Sequence, residues 1–177
     1  MFVFIGAKQA GVICLLALKA AGFFISRVIP HDDLVRKVAQ ELGLPVSDDM
    51  TFTNEFIVNC HGRKIIKHPF GINVHPCLYG YKGANPVQRL IRDGNTTASV
   101  GVHVMTDTVD EGQIIYEEYV DVTGLNTEVE IYNKLYPYYA IALLRALGRL
   151  GICGGGLSKG NQTFGFPKQT IEANQKT

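Results

Sequence analysis

The sequence predicts an α/β fold in which helices flank a mainly parallel central sheet. Short continuous apolar runs, such as residues 2–5 and 55–59, are typical of buried strands, and they alternate with segments whose apolar residues recur at helical spacing. Strands and helices that alternate in this way are joined by right-handed crossovers, which favour parallel pairing. With 177 residues, the chain suits one domain and can bury a core without disulfide or metal staples.

The N-terminal half of the chain accounts for the parallel part of the predicted sheet. Strands are expected at residues 2–5, 24–29, 55–59 and 71–75. The helix after the first strand ends at Gly22, because glycine commonly ends a helix. The helix after the second strand begins at Asp32 or Asp33, either of which can cap it, and it ends at Gly43.

The C-terminal half predicts a pair of strands and one long helix. Strands are expected at residues 99–106 and 113–120. The tight loop between them holds Asp110. Thr127 and Glu130 form a capping box for a helix that reaches about Arg149, and Pro137 in its interior should kink it.

A glycine-rich stretch at residues 151–156 marks the end of the predicted domain. Residues 1–150 are expected to form the folded domain. Residues 151–177 are expected to form a linker and a C-terminal tail. The chain contains no internal repeat that would indicate a different architecture.

Charge and cysteine usage exclude several classes of protein. The net charge of +1, with 19% charged residues, provides no basic stripe for nucleic acid, so no nucleic-acid partner is expected. The four cysteines lie far apart and form no CxxC pair. Neither a disulfide framework nor a metal site is therefore predicted, and the reducing cytoplasm is the expected location.

The apolar N-terminus resembles a signal peptide only superficially. Lys8, Gln9 and Lys19 interrupt the first 24 residues, and no basic segment precedes them. A strand, a turn and a helix explain this composition better than a membrane segment does. The sequence therefore predicts a soluble protein without a membrane partner.

Asn73 and His75 form the most informative local pattern. Residues two apart on a strand point to the same face, so Ile72 and Val74 should face a core on the other side. A neighbouring amide N–H and imidazole can hold an oxyanion, and a carboxylate such as Asp110 can orient the imidazole and stabilise its charge. The plainer alternative is a polar strand end capped by a loop acid.

Three segments should bring polar groups to one edge of the sheet. Residues 6–8, 59–63 and 75–83 each leave the carboxyl end of a predicted strand. Ligands of open α/β sheets bind beyond these ends. The first loop lacks a GxGxxG pattern, so it carries no specific signal for a dinucleotide.

The motifs resemble the core of the folate-dependent formyltransferases, which transfer the formyl group of N10-formyltetrahydrofolate to an amine. The resemblance is carried by Asn73-Val74-His75-Pro76-Cys77-Leu78, then Gly83, Pro86 and Gly94, then Val100, His103, Met105 and the run from Val109 to Ile115. The resemblance is strong from about residue 55 to residue 120. Within this family, the chain is similar in particular to nucleotide-sugar N-formyltransferases and to the catalytic domain of methionyl-tRNA formyltransferase. The resemblance implies a Rossmann-like catalytic domain over residues 1–150, N10-formyltetrahydrofolate as co-substrate and no metal.

The resemblance also implies the catalytic residues Asn73, His75 and Asp110. Asn73 and a protonated His75 would each donate a hydrogen bond to the oxyanion of a tetrahedral intermediate. Asp110 would keep His75 cationic and, directly or through a water, accept protons shed by the amine. His103 is a second candidate for proton transfer, although a structural histidine is the preferred interpretation.

Other implied positions concern the folate. The family places the pterin between the segment after the third strand and the loop around Asp110. The corresponding cofactor-binding residues are His61, Gly62, Arg63, Lys64, Ile65, Thr108, Val109 and Gly112. Arg63 has a second interpretation as a solvated surface charge.

The sequence departs from the family where it should line the acceptor pocket. Cys77-Leu78-Tyr79-Gly80 replaces Ser-Leu-Leu-Pro, with one residue fewer before Lys82-Gly83. Gly101 stands where threonine is usual, and the region at 43–55 is short. The expected acceptor-binding residues are Lys8, Cys77, Tyr79, Tyr81 and Lys82.

The resemblance favours a nucleotide-linked amino sugar as the acceptor. Glycinamide ribonucleotide is the second hypothesis for the acceptor. The first loop of this chain lacks the Gly-Ser-Asn that enzymes acting on it usually have. The expected absence of an RNA-binding domain and of a basic surface counts against methionyl-tRNA. A formyltetrahydrofolate hydrolase, a non-catalytic folate-binding protein and a homodimer stay open.

Overall fold

The computed structural model describes residues 2–62, 66 and 70–154. In this part of the chain, strands and helices follow one another as an α/β protein requires. Their order is β1 (Phe2–Gly6), α1 (Lys8–Ala20), β2 (Ile25–Pro30), α2 (Asp33–Glu41), β3 (Phe56–Cys60), β4 (Gly71–Pro76), α3 (Pro86–Arg92), β5 (Thr97–Val104), β6 (Ile114–Asp121) and α4 (Glu128–Arg149).

The strands form one sheet in the order β2-β1-β3-β4-β5-β6. The first four strands pair in parallel, whereas β5 and β6 pair antiparallel. The predicted α/β class and mainly parallel sheet are therefore confirmed. Because the chain leaves β1 for β2 on one side and later adds β3 on the other, the winding reverses between β1 and β3. Ligands of open α/β sheets bind at such a reversal.

The two faces of the sheet are covered differently. The larger core lies under α1 and α4 and includes Phe4, Leu15 and Leu143, each fully buried. A smaller apolar cluster on the other face contains Ile57 and Met105, among others. Burial of each such side chain stabilises the fold by roughly 1.5–3 kcal/mol. The larger core, which buries more of them, therefore contributes more to stability than the smaller cluster does.

The helix starts follow the expected side-chain chemistry. The carboxylate of Asp32 accepts a hydrogen bond from the amide of Val35 at 3.0 Å, which identifies Asp32 as the cap of α2. Thr127 and Glu130 form the predicted capping box at the start of α4. Pro137 lies inside α4, and the helix continues to Arg149.

One helix was not expected from the sequence. The seven-residue α3 begins with Pro86 and follows Asn85, whose φ of 51° lies in the left-handed region. A helix of this length contains too few turns to produce a clear apolar period. Strand ends also differ by one or two residues from expectation, as when β5 begins at Thr97 and ends at Val104.

Within the described residues, no helix is both long and apolar enough to span a bilayer. The predicted linker and tail lie largely outside this part of the chain, which ends at residue 154.

Candidate active site

A row of polar side chains crosses three adjacent strands. Asn59 of β3 is the register partner of Asn73 of β4, and Asn73 is in turn the partner of His103 of β5. Ile72 and Val74 are buried in the core on the opposite face, as the two-residue spacing predicted. The row therefore lies on one face of the sheet, beside its carboxyl edge.

Asp110 connects this row to His75. Asp110 lies in the loop between β5 and β6 and has a φ of 55°, in the left-handed region. Its carboxylate lies over the row of polar side chains. One carboxylate oxygen, Oδ1, accepts a hydrogen bond from Nδ2 of Asn73 at 3.2 Å and lies 3.2 Å from Nε2 of His103. The other, Oδ2, accepts from the amide of Gly83 at 2.8 Å and lies 3.1 Å from Nε2 of His75.

The surroundings of Asp110 keep it ionised. The side chain is only 7% exposed, and burial by itself would raise its pKa. Hydrogen bonds from His103, His75 and the Gly83 amide outweigh burial and lower the pKa of Asp110 well below its usual range. The buried carboxylate thus accepts hydrogen bonds from Asn73 and Gly83 and lies against the Nε2 atoms of His75 and His103.

The hydrogen-bond partners determine which nitrogen of each histidine carries a proton. Nε2 of His75 lies 3.0 Å from the carbonyl oxygen of Gly83 and 3.1 Å from Asp110, and both are acceptors, so Nε2 is the donor. Nδ1 of His75 is buried and has no hydrogen-bond partner among the described residues. Nδ1 of His103 donates to the carbonyl of Val104 at 2.8 Å, and Nε2 of the same ring lies 3.1 Å from Nδ2 of Asn73, which can donate to it.

Gly112 allows the loop to close against β5. A Cβ on Gly112 would lie 1.7 Å from the carbonyl oxygen of Val104, which is backbone and cannot move aside cheaply. Close approach, rather than a positive φ, is therefore what requires glycine here. The same loop carries Asp110, so this contact helps to hold the carboxylate in place.

A cavity of about 520 Å³ opens beside these residues at the carboxyl edge of the sheet. Its described lining comes from all three segments that the sequence brought to this edge, with additions from β5, the Asp110 loop and the start of α4. The lining residues are Lys8, Asn59, His61, Gly62, Ile66, Asn73, Val74, His75, Pro76, Gly83, Ala84, Asn85, Pro86, His103, Met105, Thr106, Thr108, Val109, Asp110, Glu128 and Tyr132.

The cavity lining has an apolar and a polar part. Ile66 and Met105 belong to the small cluster on the face that carries Asn73. Lys8, Glu128 and Tyr132 contribute charged and aromatic groups. Such a division suits two ligands of different polarity with the reacting atoms between them.

His61 lies against α4 as a neutral imidazole. Its Nε2 is 2.8 Å from the hydroxyl of Tyr139, and its ring packs edge-on to Tyr132 with centroids 5.9 Å apart. Burial, together with smaller contributions from the nearby charges of Lys8 and His75, lowers the pKa of His61 to about 4. This residue is therefore uncharged at neutral pH.

Comparison with known proteins identifies the family. The formyl transferase family model matches residues 57–147, which is just over half of the chain. The chain belongs to the formyl transferase family. The methionyl-tRNA formyltransferase of Borrelia recurrentis is 29% identical over 139 residues, and the match covers 75% of this chain and 41% of that protein. The corresponding enzyme of Heliobacterium modesticaldum is 25% identical, with 84% and 57% covered. The chain thus spans about half the length of the curated relatives it matches.

Solved structures of formyltransferases share the fold. A phosphoribosylglycinamide formyltransferase from Bacillus halodurans superimposes with a TM-score of 0.70 at 18% identity, covering 93% of this chain and 99% of that one. WlaRD, a sugar 3N-formyl transferase solved in the presence of dTDP and 5-N-formyl-THF, gives a TM-score of 0.72 at 18% identity, covering 96% and 70%. The family resemblance predicted from the motifs is confirmed.

Of the expected folate contacts, His61, Gly62, Thr108 and Val109 line the cavity of this family member. Arg63, Lys64 and Ile65 lie outside the described residues. Gly112, in the Asp110 loop, is buried and does not line the cavity. No group of three or more metal-ligating side chains is placed to hold an ion in the described part of the chain.

The expected acceptor contacts are placed less uniformly. Lys8 lines the cavity, and Lys82 lies beside it in an exposed ion pair with Glu111, at 2.7 Å. Cys77, Tyr79 and Tyr81 do not line it.

The packing of residues 77–81 explains why these three side chains point elsewhere. Cys77 is fully buried in the main core, and this burial raises its pKa to about 11. The hydroxyl of Tyr79 donates to the carbonyl of Thr97 at 2.5 Å, and Tyr81 packs under Arg89. None of the three side chains lines this cavity, and their role toward the acceptor stays a prediction.

Some cavity residues escaped the sequence prediction. Asn59 was placed at the carboxyl edge, in the segment 59–63, but was given no role in the site, and Glu128 and Tyr132 were counted only as part of a helix. A polar residue at the end of a buried strand was the available signal for Asn59. Nothing local could place the start of α4 beside the cavity, because that contact depends on how α4 packs across the sheet.

The start of α1 is already occupied by a carboxylate. The amide of Lys8 donates to Asp32, the same side chain that caps α2. Helix N-termini attract anions, and here the chain's own Asp32 fills that position. Lys8 itself has a φ of 59°, so its side chain leaves the helix start in an unusual direction.

Proposed function

We propose that this formyl transferase family member is an enzyme that transfers the formyl group of N10-formyltetrahydrofolate to an amine. The observation that carries the proposal is the arrangement of Asn73, His75 and an ionised Asp110 beside one cavity. An amide donor and an imidazole that both contact one carboxylate are the groups that formyl transfer requires.

The reaction has to form and discharge a tetrahedral intermediate. The amine nitrogen attacks the formyl carbon, a C–N bond forms, and the carbonyl electrons move onto oxygen. Asn73 donates through Nδ2 to that oxyanion. A second proton on His75 would occupy Nδ1, the nitrogen without a partner among the described residues, and would supply another donor. Each donor of this kind is worth about 3 kcal/mol in transition-state stabilisation.

Collapse of the intermediate requires a proton to move. The bond between carbon and N10 breaks, its electrons return to N10, and the proton lost by the amine is finally carried by N10. Asp110 lies 3.1 Å from His75 and stabilises positive charge on that ring. The carboxylate and the imidazole together give the proton a route between the two nitrogens.

The apolar part of the cavity suits the pterin of the folate. Ile66, Met105 and Val109 can cover a flat ring, while backbone groups after β3 and around Thr108 can recognise its polar edge. A cavity of about 520 Å³ lies within the size range of small-molecule sites. The solved WlaRD complex contains 5-N-formyl-THF, which supports a folate co-substrate for a protein of this fold.

For the acceptor we propose a small molecule, the amine of a nucleotide-linked amino sugar. The fold shared with a sugar 3N-formyl transferase solved with dTDP supports this choice. Asp32 at the start of α1 disfavours a phosphate at that helix end, because like charges at contact distance repel, so the diphosphate of this acceptor would bind elsewhere in the cavity. Lys8 and Glu128 remain available for other polar groups.

Residues 1–150 constitute the catalytic domain in this proposal, and the protein acts in the cytoplasm, where N10-formyltetrahydrofolate would be drawn from the soluble pool. A homodimer is an additional expectation. Size-exclusion chromatography with light scattering measures the oligomeric state directly.

The proposal is tested by supplying N10-formyltetrahydrofolate with a panel of acceptors and following both tetrahydrofolate release and the gain of one formyl group by mass spectrometry. Nucleotide-linked amino sugars should be formylated. Glycinamide ribonucleotide, methionyl-tRNA and water alone test the other acceptor classes. Formylation of glycinamide ribonucleotide without any amino sugar would replace the acceptor, and tetrahydrofolate release without any amine would indicate a hydrolase. Folate binding without turnover would indicate a non-catalytic protein.

A further inference from the structure

Asn59 lies next to Asn73 in the row of polar side chains and contacts it directly. It is the fourth residue of β3 and only 9% exposed. Its Nδ2 donates to Oδ1 of Asn73 at 2.8 Å. Because the two residues are register partners on parallel strands, the pleat holds their side chains side by side.

The direction of this hydrogen bond follows from the charge of Asp110. An ionised carboxylate can only accept, so the amide group of Asn73 must present its nitrogen to Asp110. The oxygen of Asn73 is then turned toward β3, where only a donor can satisfy it. Asn59 must in turn present its nitrogen to Asn73. One ionised residue thus sets the orientation of two neighbouring amides.

This orientation leaves the amide oxygen of Asn59 without a protein partner. Oδ1 of Asn59 is buried and accepts no hydrogen bond from the described residues. Native proteins rarely keep such an atom unpaired. The absence of a side chain at Gly62 leaves this oxygen unobstructed by a Cβ, which would lie 2.1 Å from it. Asn59 and Gly62 both line the cavity.

We propose that Asn59 is a positioning residue, which fixes the amide of Asn73 with its nitrogen toward Asp110 and His103, on the side where it can also donate to the reacting carbonyl, and whose own oxygen accepts an N–H of the bound tetrahydrofolate. This inference rests on the proposed formyl transfer. The folate is the ligand of choice because Asn59 directly precedes the segment with Gly62 and Ile66, in the apolar part of the cavity. A reduced pterin carries several N–H donors at its edge.

Without Asn59, the amide of Asn73 would lose its orientation. If it rotated by half a turn, its oxygen would face Asp110 and its nitrogen would face β3. The donor for the oxyanion would then be replaced by an acceptor. Loss of this donor should lower kcat, because the hydrogen bond to the oxyanion forms in the transition state. Loss of the contact between Asn59 and folate should instead weaken folate binding.

The test compares Asn59→Leu, which keeps the size and removes both polar groups, with Asn59→Asp, which keeps an acceptor and removes the donor. Asn126→Asp, on an exposed turn before α4, is the matched control. Asn59→Ser is a smaller variant for use if the leucine protein fails to fold. Thermal unfolding establishes that each variant is folded.

Three measurements are made on each folded variant. Both Asn59→Leu and Asn59→Asp should lower kcat by about thirtyfold or more. The side-chain carboxamide resonances of Asn73, assigned by their loss in Asn73→Ala, should shift in the ¹⁵N–¹H spectrum of the free protein. Titration with 5-formyltetrahydrofolate should show a dissociation constant raised about tenfold by Asn59→Leu. The control should match the unchanged chain in all three.

Unchanged Asn73 resonances together with a kcat within twofold of the parent would overturn the positioning role. An unchanged dissociation constant for 5-formyltetrahydrofolate in Asn59→Leu would overturn the folate contact. The spectrum and the folate titration require no turnover. If the parent protein formylates no acceptor, the proposed function fails while both measurements still decide whether Asn59 positions Asn73 and contacts folate.

Discussion

Oδ2 of Asp110 lies 3.1 Å from Nε2 of His75, and Gly83 closes a ring around this pair. The Gly83 amide donates to the same carboxylate oxygen at 2.8 Å, and its carbonyl accepts from the same imidazole nitrogen at 3.0 Å. The pairing of the two side chains therefore depends on the backbone of a third segment. A substitution in the loop after β4 that moved the backbone of Gly83 would therefore disturb the contact between Asp110 and His75.

Removing any member of the group should abolish most of the activity. We expect Asn73→Ala, His75→Ala and Asp110→Ala each to lower kcat for formyl transfer at least a hundredfold, because each group stabilises charge that develops in the transition state. Steady-state kinetics on folded variants measure this. Asp107→Asn, in the same loop but exposed, should retain activity. A near-normal kcat in any of the three variants would remove that residue from its role.

The low pKa of Asp110 makes a prediction about stability and pH. A carboxylate whose pKa is lower in the folded state stabilises the fold above its unfolded value of about 3.9, and this contribution is lost as the pH falls through the folded pKa. The free energy of unfolding of the parent should therefore exceed that of Asp110→Asn at pH 7, and the gap should shrink below about pH 4. Urea titrations at several pH values measure both curves. A gap that stayed constant down to pH 3 would contradict the lowered pKa.

His61 makes a prediction of its own about charge. Burial, with Lys8 and His75 nearby, lowers its pKa to about 4, so its ring should stay neutral from pH 5 to pH 8. Because the folded pKa lies below the unfolded value of about 6.5, His61 should weaken the fold as the pH falls from 6.5 toward 4. An NMR titration of its ring protons, assigned with His61→Asn, measures the pKa. A midpoint near 6.5 would show that the ring is accessible to water.

Folate binding should depend on Gly112 through the protein backbone. We expect 5-formyltetrahydrofolate at about 100 times its Kd to stabilise the folded state by about 2.7 kcal/mol, which raises Tm. In Gly112→Val the added side chain collides with the Val104 carbonyl and displaces the loop, so the rise in Tm should be smaller. Gly148→Ala, where a Cβ meets no atom within 4 Å, is the control. If saturating folate produces neither a thermal shift nor measurable binding to the parent, the folate hypothesis fails.

The acceptor KM should depend more on Lys8 than on Lys82. Lys8 lines the cavity, so Lys8→Ala should raise the acceptor KM with little change in kcat, as loss of a contact shared by ground and transition states does. Lys82 is held in an exposed pair with Glu111, and exposed pairs contribute about 0–1 kcal/mol, so Lys82→Ala should raise KM less. Lys19→Ala, at the far end of α1, is the control. An equal fall in kcat and kcat/KM for Lys8→Ala would instead indicate a role in the transition state.

The local patterns of the sequence were sufficient for the class of fold and for the shared face of Asn73 and His75. Continuous apolar runs such as 2–5 could only be buried strands, and the capping box at Thr127 depends on residues three apart. The motif match from residue 57 to residue 147 likewise needs only the order of residues. Such features are encoded over short distances, where a side chain and its partner are covalently close.

Tertiary structure alone decided which distant groups meet. The register between β3, β4 and β5 places Asn59 and His103 on either side of Asn73, and a register is a property of two strands rather than of one. The same is true of Cys77, which is buried in the core, and of Tyr79, which packs against the core while its hydroxyl donates to Thr97. The sequence by itself determined the family, the described elements other than α3, and the reactive residue types. Only the packed chain decided the hydrogen-bond partners of Asp110, because they come from strands and loops that are brought together by non-local contacts.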